Sequence, residues 1–153
     1  MLDYDKEAER YDAMRGGEPR AAAAAEAVLG LLPPGADRLL DVACGTGIVT
    51  RRLAAGRAGL RVTGVDLSPV MARHASDRLP GTIVRADCRR LPFAEGEFDA
   101  VTSVWLLHLV EDADDVRRIV AECARVLRPG GGGRTGRHRC RCPRCARRPC
   151  RPW

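Results

Sequence analysis

Long hydrophobic runs are absent. No stretch approaches the roughly 18 consecutive apolar residues of a membrane-spanning helix, so no membrane span is expected. Aromatic residues are scarce, with two Trp, two Tyr and two Phe, and lysine is nearly missing: Lys6 stands alone beside 25 arginines. The opening MLDYDKEAER is polar and acidic and lacks the basic and apolar regions of a secretory signal. A cytoplasmic location is the resulting expectation, and Cys44, Cys88 and Cys123 read as reduced thiols rather than a disulfide framework.

Acid is missing from one end of the chain. Residues 131–153 hold eight arginines and neither Asp nor Glu, so the formal charge of +6 misrepresents the rest. In residues 1–130, 18 basic residues face 20 acidic ones, a net charge of −2, and no nucleic-acid partner is expected for that body. Val, Ile, Leu, Met, Phe and Tyr are also missing from 131–153, which is nearly all Arg, Cys, Gly and Pro. Such a segment has nothing to bury and is expected to be disordered.

What is present in the body is alternation. Residues 1–17 carry no clear period. The alanine-rich stretch 18–32 predicts a helix stopped by Pro33-Pro34-Gly35. Apolar runs at 38–43, 60–66, 82–86 and 98–104 predict four buried strands. Helices are expected at 48–55, at 68–79 with Ser68 as N-cap and Pro69 at the first position, and at 113–127 capped by Asp112. In the last of these, Val116, Ile119, Val120, Cys123, Val126 and Leu127 form one apolar face. The pattern predicts an α/β, Rossmann-like doubly wound parallel sheet of about four strands with helices on both faces. The expected organisation is an N-terminal segment at 1–17, a cofactor-binding domain at 18–131 and the Arg/Cys/Pro/Gly tail at 132–153.

Three motifs carry chemistry. In LLDVACGTGIVT (39–50) a strand ends, Gly45 and Gly47 make a tight turn, and a helix begins. Glycine lets a ligand approach the backbone, and the helix N-terminus offers free N–H groups to an anion. Asp41 adds a carboxylate beside that anion site, so the pair suits a zwitterionic amino acid and repels a pyrophosphate. Asp66 ends the second strand about 20 residues on, where a carboxylate accepts from ribose hydroxyls. Asp87 follows the third strand on the same sheet edge. Its carboxylate can accept from an exocyclic amine, with the Cys88 N–H meeting the adjacent ring nitrogen.

The succession LLDVACGTG, VTGVDLS, VRADCRRLPF, FDAVTSVWLLHLVED and RVLRPGG strongly resembles class I S-adenosylmethionine-dependent methyltransferases, nearest the small-molecule branch of ubiquinone and menaquinone biosynthesis. The likeness covers residues 1 to about 131. It implies S-adenosyl-L-methionine as cofactor and a small-molecule methyl acceptor. It also implies that Asp41, Ala43, Gly45 and Gly47 line the methionine end and Asp66 holds the ribose diol. Leu67 would pack on the adenine, Asp87 and Cys88 read its edge, and Ser103 and Val104 border the reactive methyl. Tyr11 resembles segments that close over the cofactor. Ala43 departs from the pattern, standing where many members have glycine.

The family continues beyond Gly131 with three more strands, in the order 3-2-1-4-5-7-6, and none is visible here. The abrupt Arg/Cys/Pro/Gly composition is what a GC-rich gene yields in a shifted frame. The expectation is therefore a truncated or frameshifted methyltransferase, of uncertain activity and low stability because its fourth strand is left at an edge. His108 is the one candidate general base near the site, and a structural or capping histidine is the plainer reading of it. Cys140, Cys142, Cys145 and Cys150 could bind zinc, but they lack the two separated knuckles of a ribbon, and no metal is expected. Two competing functions remain. A nicotinamide oxidoreductase would share Gly45, Gly47 and Asp66, but Thr50 stands in place of its third glycine. A non-enzymatic basic binder would act through the tail.

Overall fold

The computed structural model describes residues 12–130. Strand β1 (Arg38–Val42) pairs with β2 (Arg61–Asp66) on one side and β4 (Ala100–Thr102) on the other, and β3 (Ile83–Arg85) pairs with β2. All pairings are parallel, in the order β3-β2-β1-β4. The connecting helices are α1 (Gly17–Leu31), α2 (Ile48–Gly56), α3 (Pro69–Arg78) and α4 (Ala113–Val126).

The side-chain alternation of β1 divides the core. Leu39 faces a cluster with Val49 and Leu53 of α2, Ala21 and Ala25 of α1, and Val62. Leu40 and Val42 face the other way, into a cluster with Val65, Phe98, Leu91 and Val126 of α4. Both faces of β1 are thus dry, which explains why RLLDV reads as a continuous apolar run around one acid. The doubly wound fold and the strand order expected for the first four strands are both present.

Local chemistry sets the helix ends as expected. Ser68 Oγ accepts from the Met71 N–H at 3.2 Å, with Pro69 at the first helical position. Asp112 Oδ1 accepts from the N–H groups of Asp114 and Asp115 at 2.6 and 3.2 Å. Two details differ. Val120 is 51% exposed, so the buried face of α4 is narrower than its sequence pattern, centred on Ile119 and Val126. Strand β4 is three residues long, not seven. At its start the Phe98 N–H turns to Val126 O at 3.0 Å and the Arg128 N–H to Phe98 O at 2.7 Å. These bonds form an isolated parallel bridge between Phe98 and Leu127 on the outer side of the sheet. At its other end, Trp105 takes φ +64°, and the chain bends away.

Among the described residues no helix is long and apolar enough to cross a membrane. Asp99, 5% exposed, staples the lower edge of the sheet. It accepts from the N–H groups of Asp37 and Arg38 at 3.1 and 3.0 Å and pairs with Arg128.

Candidate functional site

The carboxyl ends of the four strands open into one cleft of about 1150 Å³. Its floor is the β1–α2 turn, where Asp41, Ala43, Gly45 and Thr46 line it. Asp66, Leu67 and Ser68 line the next stretch, Asp87, Cys88 and Arg89 the one beyond β3, and Val104, Trp105, Leu106 and His108 the wall beyond β4. The three acids read from sequence therefore converge on one space.

Each acid is held differently. Asp66 Oδ2 accepts from the Gly45 N–H at 2.8 Å and Oδ1 from the Ser68 N–H at 2.9 Å, which fixes its plane across the glycine turn. Asp41 is 2% exposed, and Thr50 Oγ1 donates to its Oδ2 at 2.7 Å. Burial pushes the Asp41 carboxyl up to about 7, against the pull of the Thr50 hydrogen bond and with a contribution from the Asp66 charge. Burial therefore opposes the negative charge that the sequence reading places there, because the group lies in the core below the turn. Asp87 is taken up by Arg89, whose Nη2 lies 2.7 Å from Oδ2, whose main-chain N–H lies 2.8 Å from Oδ1, and which also reaches Asp115 at 2.8 Å. The Arg89 hydrogen bond holds the Asp87 carboxyl below the usual carboxylate range.

The two glycines of the turn do different work. Gly45 has φ +57° and open space where a Cβ would stand, so its bare backbone faces the cleft. Gly47 has φ +76°, and a Cβ there would meet Ala75 Cα and Cβ at 2.9 Å. It does not line the cleft; its smallness lets α3 pack against the start of α2. Ala43 also lies at positive φ, +57°, which accounts for the glycine common at this position in the resembling family.

Ser103 does not line the cleft, and its Oγ is buried without a protein partner among the described residues. Tyr11 lies outside the described residues, as do the tail cysteines Cys140, Cys142, Cys145 and Cys150. Among the described residues no group of His, Cys, Asp and Glu is placed to hold a metal.

Sequence reading missed several contributors. Thr50 was seen as a missing glycine, whereas its hydroxyl holds Asp41. Arg89 and Asp115 were not singled out, although basic Arg89 two residues after Asp87 was a visible signal. Asp12 gave no signal at all, because its partners are 34 and 66 residues away.

Known proteins resemble this chain in sequence and in fold. The family model described as a methyltransferase domain matches residues 40–132. The chain is 41% identical over 101 residues to the ubiquinone/menaquinone biosynthesis C-methyltransferase of Desulfotalea psychrophila, covering 64% of this chain and 40% of that protein. It is 33% identical over 138 residues to the demethylmenaquinone methyltransferase of Thermotoga maritima, covering 86% and 58%. The chain thus spans between 40% and 58% of the length of these relatives. Among solved structures it is similar to an amino pentose methyltransferase of Micromonospora echinaspora, solved with S-adenosylmethionine bound. That likeness has 35% identity and a TM-score of 0.60 and covers 74% of this chain and 48% of that one. DesVI of Streptomyces venezuelae is similar at 31% identity and TM-score 0.67, over 86% and 56%.

Proposed function

The chain belongs to the methyltransferase domain family, and we propose that it binds S-adenosyl-L-methionine in the cleft and transfers the methyl group to a small-molecule acceptor. The observation that carries the reading is Asp66. Two backbone N–H groups hold its carboxylate at the end of β2, beside a turn whose glycine backbone is bare toward the same space. That set suits a nucleoside joined to an amino acid: a ribose diol at Asp66, a carboxylate toward the N-terminus of α2, an ammonium toward Asp41. Leu67, 56% exposed on the rim, offers an apolar face to an adenine, and Asp87 with the Cys88 N–H borders its edge.

When bound, S-adenosylmethionine supplies an already activated methyl group on a sulfonium. The protein is left to align the acceptor and exclude water, and proximity and orientation supply roughly 7–11 kcal/mol. Val104, Trp105 and Leu106 form the wall on the acceptor side. Tyr11 is assigned to a segment that closes over the cofactor, and Ser103, with Val104, to the border of the reactive methyl. His108 lines the cleft and is the candidate to take a proton from acceptors that must lose one. The proposed domain occupies residues 18–131 of a cytoplasmic enzyme.

Thr50 argues against a nicotinamide dinucleotide. It replaces the third glycine of that fingerprint and uses its hydroxyl to hold an acid beneath the turn. Calorimetric titration with S-adenosylhomocysteine tests the proposal. Binding in the micromolar range is expected, and no heat with S-adenosylhomocysteine but binding of NADH would overturn it.

A further inference from the structure

Asp12 closes a ring of contacts that the catalytic reading does not use. Its Oδ1 accepts from Thr46 Oγ1 at 2.6 Å, and its Oδ2 pairs with Arg78 Nη2 at 2.6 Å. Arg78 Nη1 completes the ring by donating to the Thr46 main-chain carbonyl at 2.8 Å. Thr46 is 3% exposed, and the Asp12 and Arg78 side chains are 21% and 33% exposed, so the ring is substantially sheltered. Sheltered, charge-assisted bonds of this kind are stronger than surface pairs.

The position of the ring matters more than its strength. Thr46 is the middle residue of the Gly45-Thr46-Gly47 turn, flanked by two glycines at positive φ. It supplies the one side chain of that turn, a hydroxyl, and its main-chain carbonyl is held as well. Arg78 is the last residue of α3, the helix whose Ala75 meets Gly47. Asp12 belongs to the N-terminal part of the chain, immediately after Tyr11. The ring therefore ties three separate pieces, N-terminal segment, glycine turn and α3, at the amino-acid end of the cleft.

We propose that Asp12 is a positioning residue: through Thr46 and Arg78 it presets the glycine turn for the amino-acid moiety of the ligand. The inference rests on the reading of the cleft as an S-adenosylmethionine site. A turn held in one conformation before binding loses less conformational freedom on binding, and the gain appears only for ligands that touch it. Asp66 touches the turn through the Gly45 N–H, but its bond to Ser68 and the adenine-edge groups at Asp87 and Cys88 share no atom with the ring.

The test compares two ligands on the full chain by calorimetry: S-adenosylhomocysteine, which carries the amino acid, and 5′-methylthioadenosine, which lacks it. Asp12→Asn and Thr46→Val are expected to weaken S-adenosylhomocysteine about tenfold while changing methylthioadenosine less than about twofold. Thr46→Ser, which keeps the hydroxyl, is expected to restore most of the difference. Equal weakening of both ligands, no weakening of either, or loss of the folded circular dichroism signal in both variants would make the ring a structural staple and overturn the proposal. Failure of the unaltered protein to bind either ligand would instead refute the cofactor reading itself.

Discussion

The main-chain N–H of Gly45 donates to Asp66 Oδ2 at 2.8 Å, binding the turn after β1 to the last residue of β2. A single hydrogen bond thus joins the part of the cleft suited to an amino acid with the part suited to a ribose. The Ser68 N–H on Oδ1 closes the other side, at 2.9 Å. The carboxylate is presented in one orientation before any ligand arrives.

Replacing this acid therefore has two effects. Asp66→Ala removes the acceptor for the ribose hydroxyls and the tie to Gly45. Hydrogen bonds to a charged group contribute about 1.5–3 kcal/mol, so S-adenosylhomocysteine affinity is expected to fall on the order of 100-fold. Asp66→Asn is expected to do nearly as badly, because its amide group must point a donor at either the Gly45 or the Ser68 N–H. Calorimetry measures both, and a loss under threefold in Asp66→Ala would contradict the role.

The turn glycines are expected to separate affinity from stability. Gly47→Ala forces a Cβ to 2.9 Å from Ala75 and strains a φ of +76°, so the melting temperature should fall by the equivalent of about 2–3 kcal/mol. Gly45→Ala meets no atom within 4 Å in the protein and should cost about 1 kcal/mol of stability, yet its methyl enters the cleft and should weaken ligand more than tenfold. Ala43→Gly should do the reverse of both, holding or raising the melting temperature by relieving a φ of +57°. Thermal melts with and without S-adenosylhomocysteine distinguish the three.

Asp41 gives the site a pH dependence. Its folded pKa, pushed up to about 7 mainly by burial, lies above the ordinary 3.8, so the folded chain holds a proton that the unfolded chain has released. The stability from this group is full below the ordinary value and is lost as pH rises through about 7. Asp41→Asn should therefore raise the melting temperature at about pH 8, by on the order of 2–4 kcal/mol, and change it little near pH 4. Ligand binding should run the other way. An ammonium favours the charged carboxylate, so S-adenosylhomocysteine affinity should rise from about pH 6 to 8 in the unaltered protein and stay flat in Asp41→Asn.

Asp99 should act with the opposite sign. Burial opposes its charge, but a hydrogen bond with the Asp37 side chain, the N–H groups of Asp37 and Arg38 and the Arg128 guanidinium outweigh it and hold the carboxyl below its ordinary 3.8. Its stabilisation is present above that value and disappears as pH falls through the lowered one. Arg128→Ala should weaken the pair and bring acid unfolding to higher pH, followed by circular dichroism.

Much of this was legible in one dimension. The doubly wound parallel sheet follows from alternating apolar runs and glycine or proline stops, because parallel crossovers leave few topologies, while the strand order is what the family resemblance implies. Asp41, Asp66 and Asp87 were legible because each lies at or just beyond the carboxyl end of a strand, which periodicity alone locates. The length of β4 was not, since Phe98 and Val104 are as apolar as a strand requires. Pairing to Leu127 and the positive φ of Trp105 decide where it begins and ends.

The sequence by itself determined which residue types stand at which strand ends, and through them the fold and the class of ligand, because side-chain period and turn chemistry are local properties. Only the tertiary structure decided the state of those residues. It placed Asp41 in the dry core, where burial raises its pKa, gave Asp87 to Arg89, set Gly45 toward the cleft and Gly47 against Ala75, and brought Asp12 to Thr46. Burial and contacts between residues tens of positions apart arise when the chain closes on itself, and no local pattern carries them.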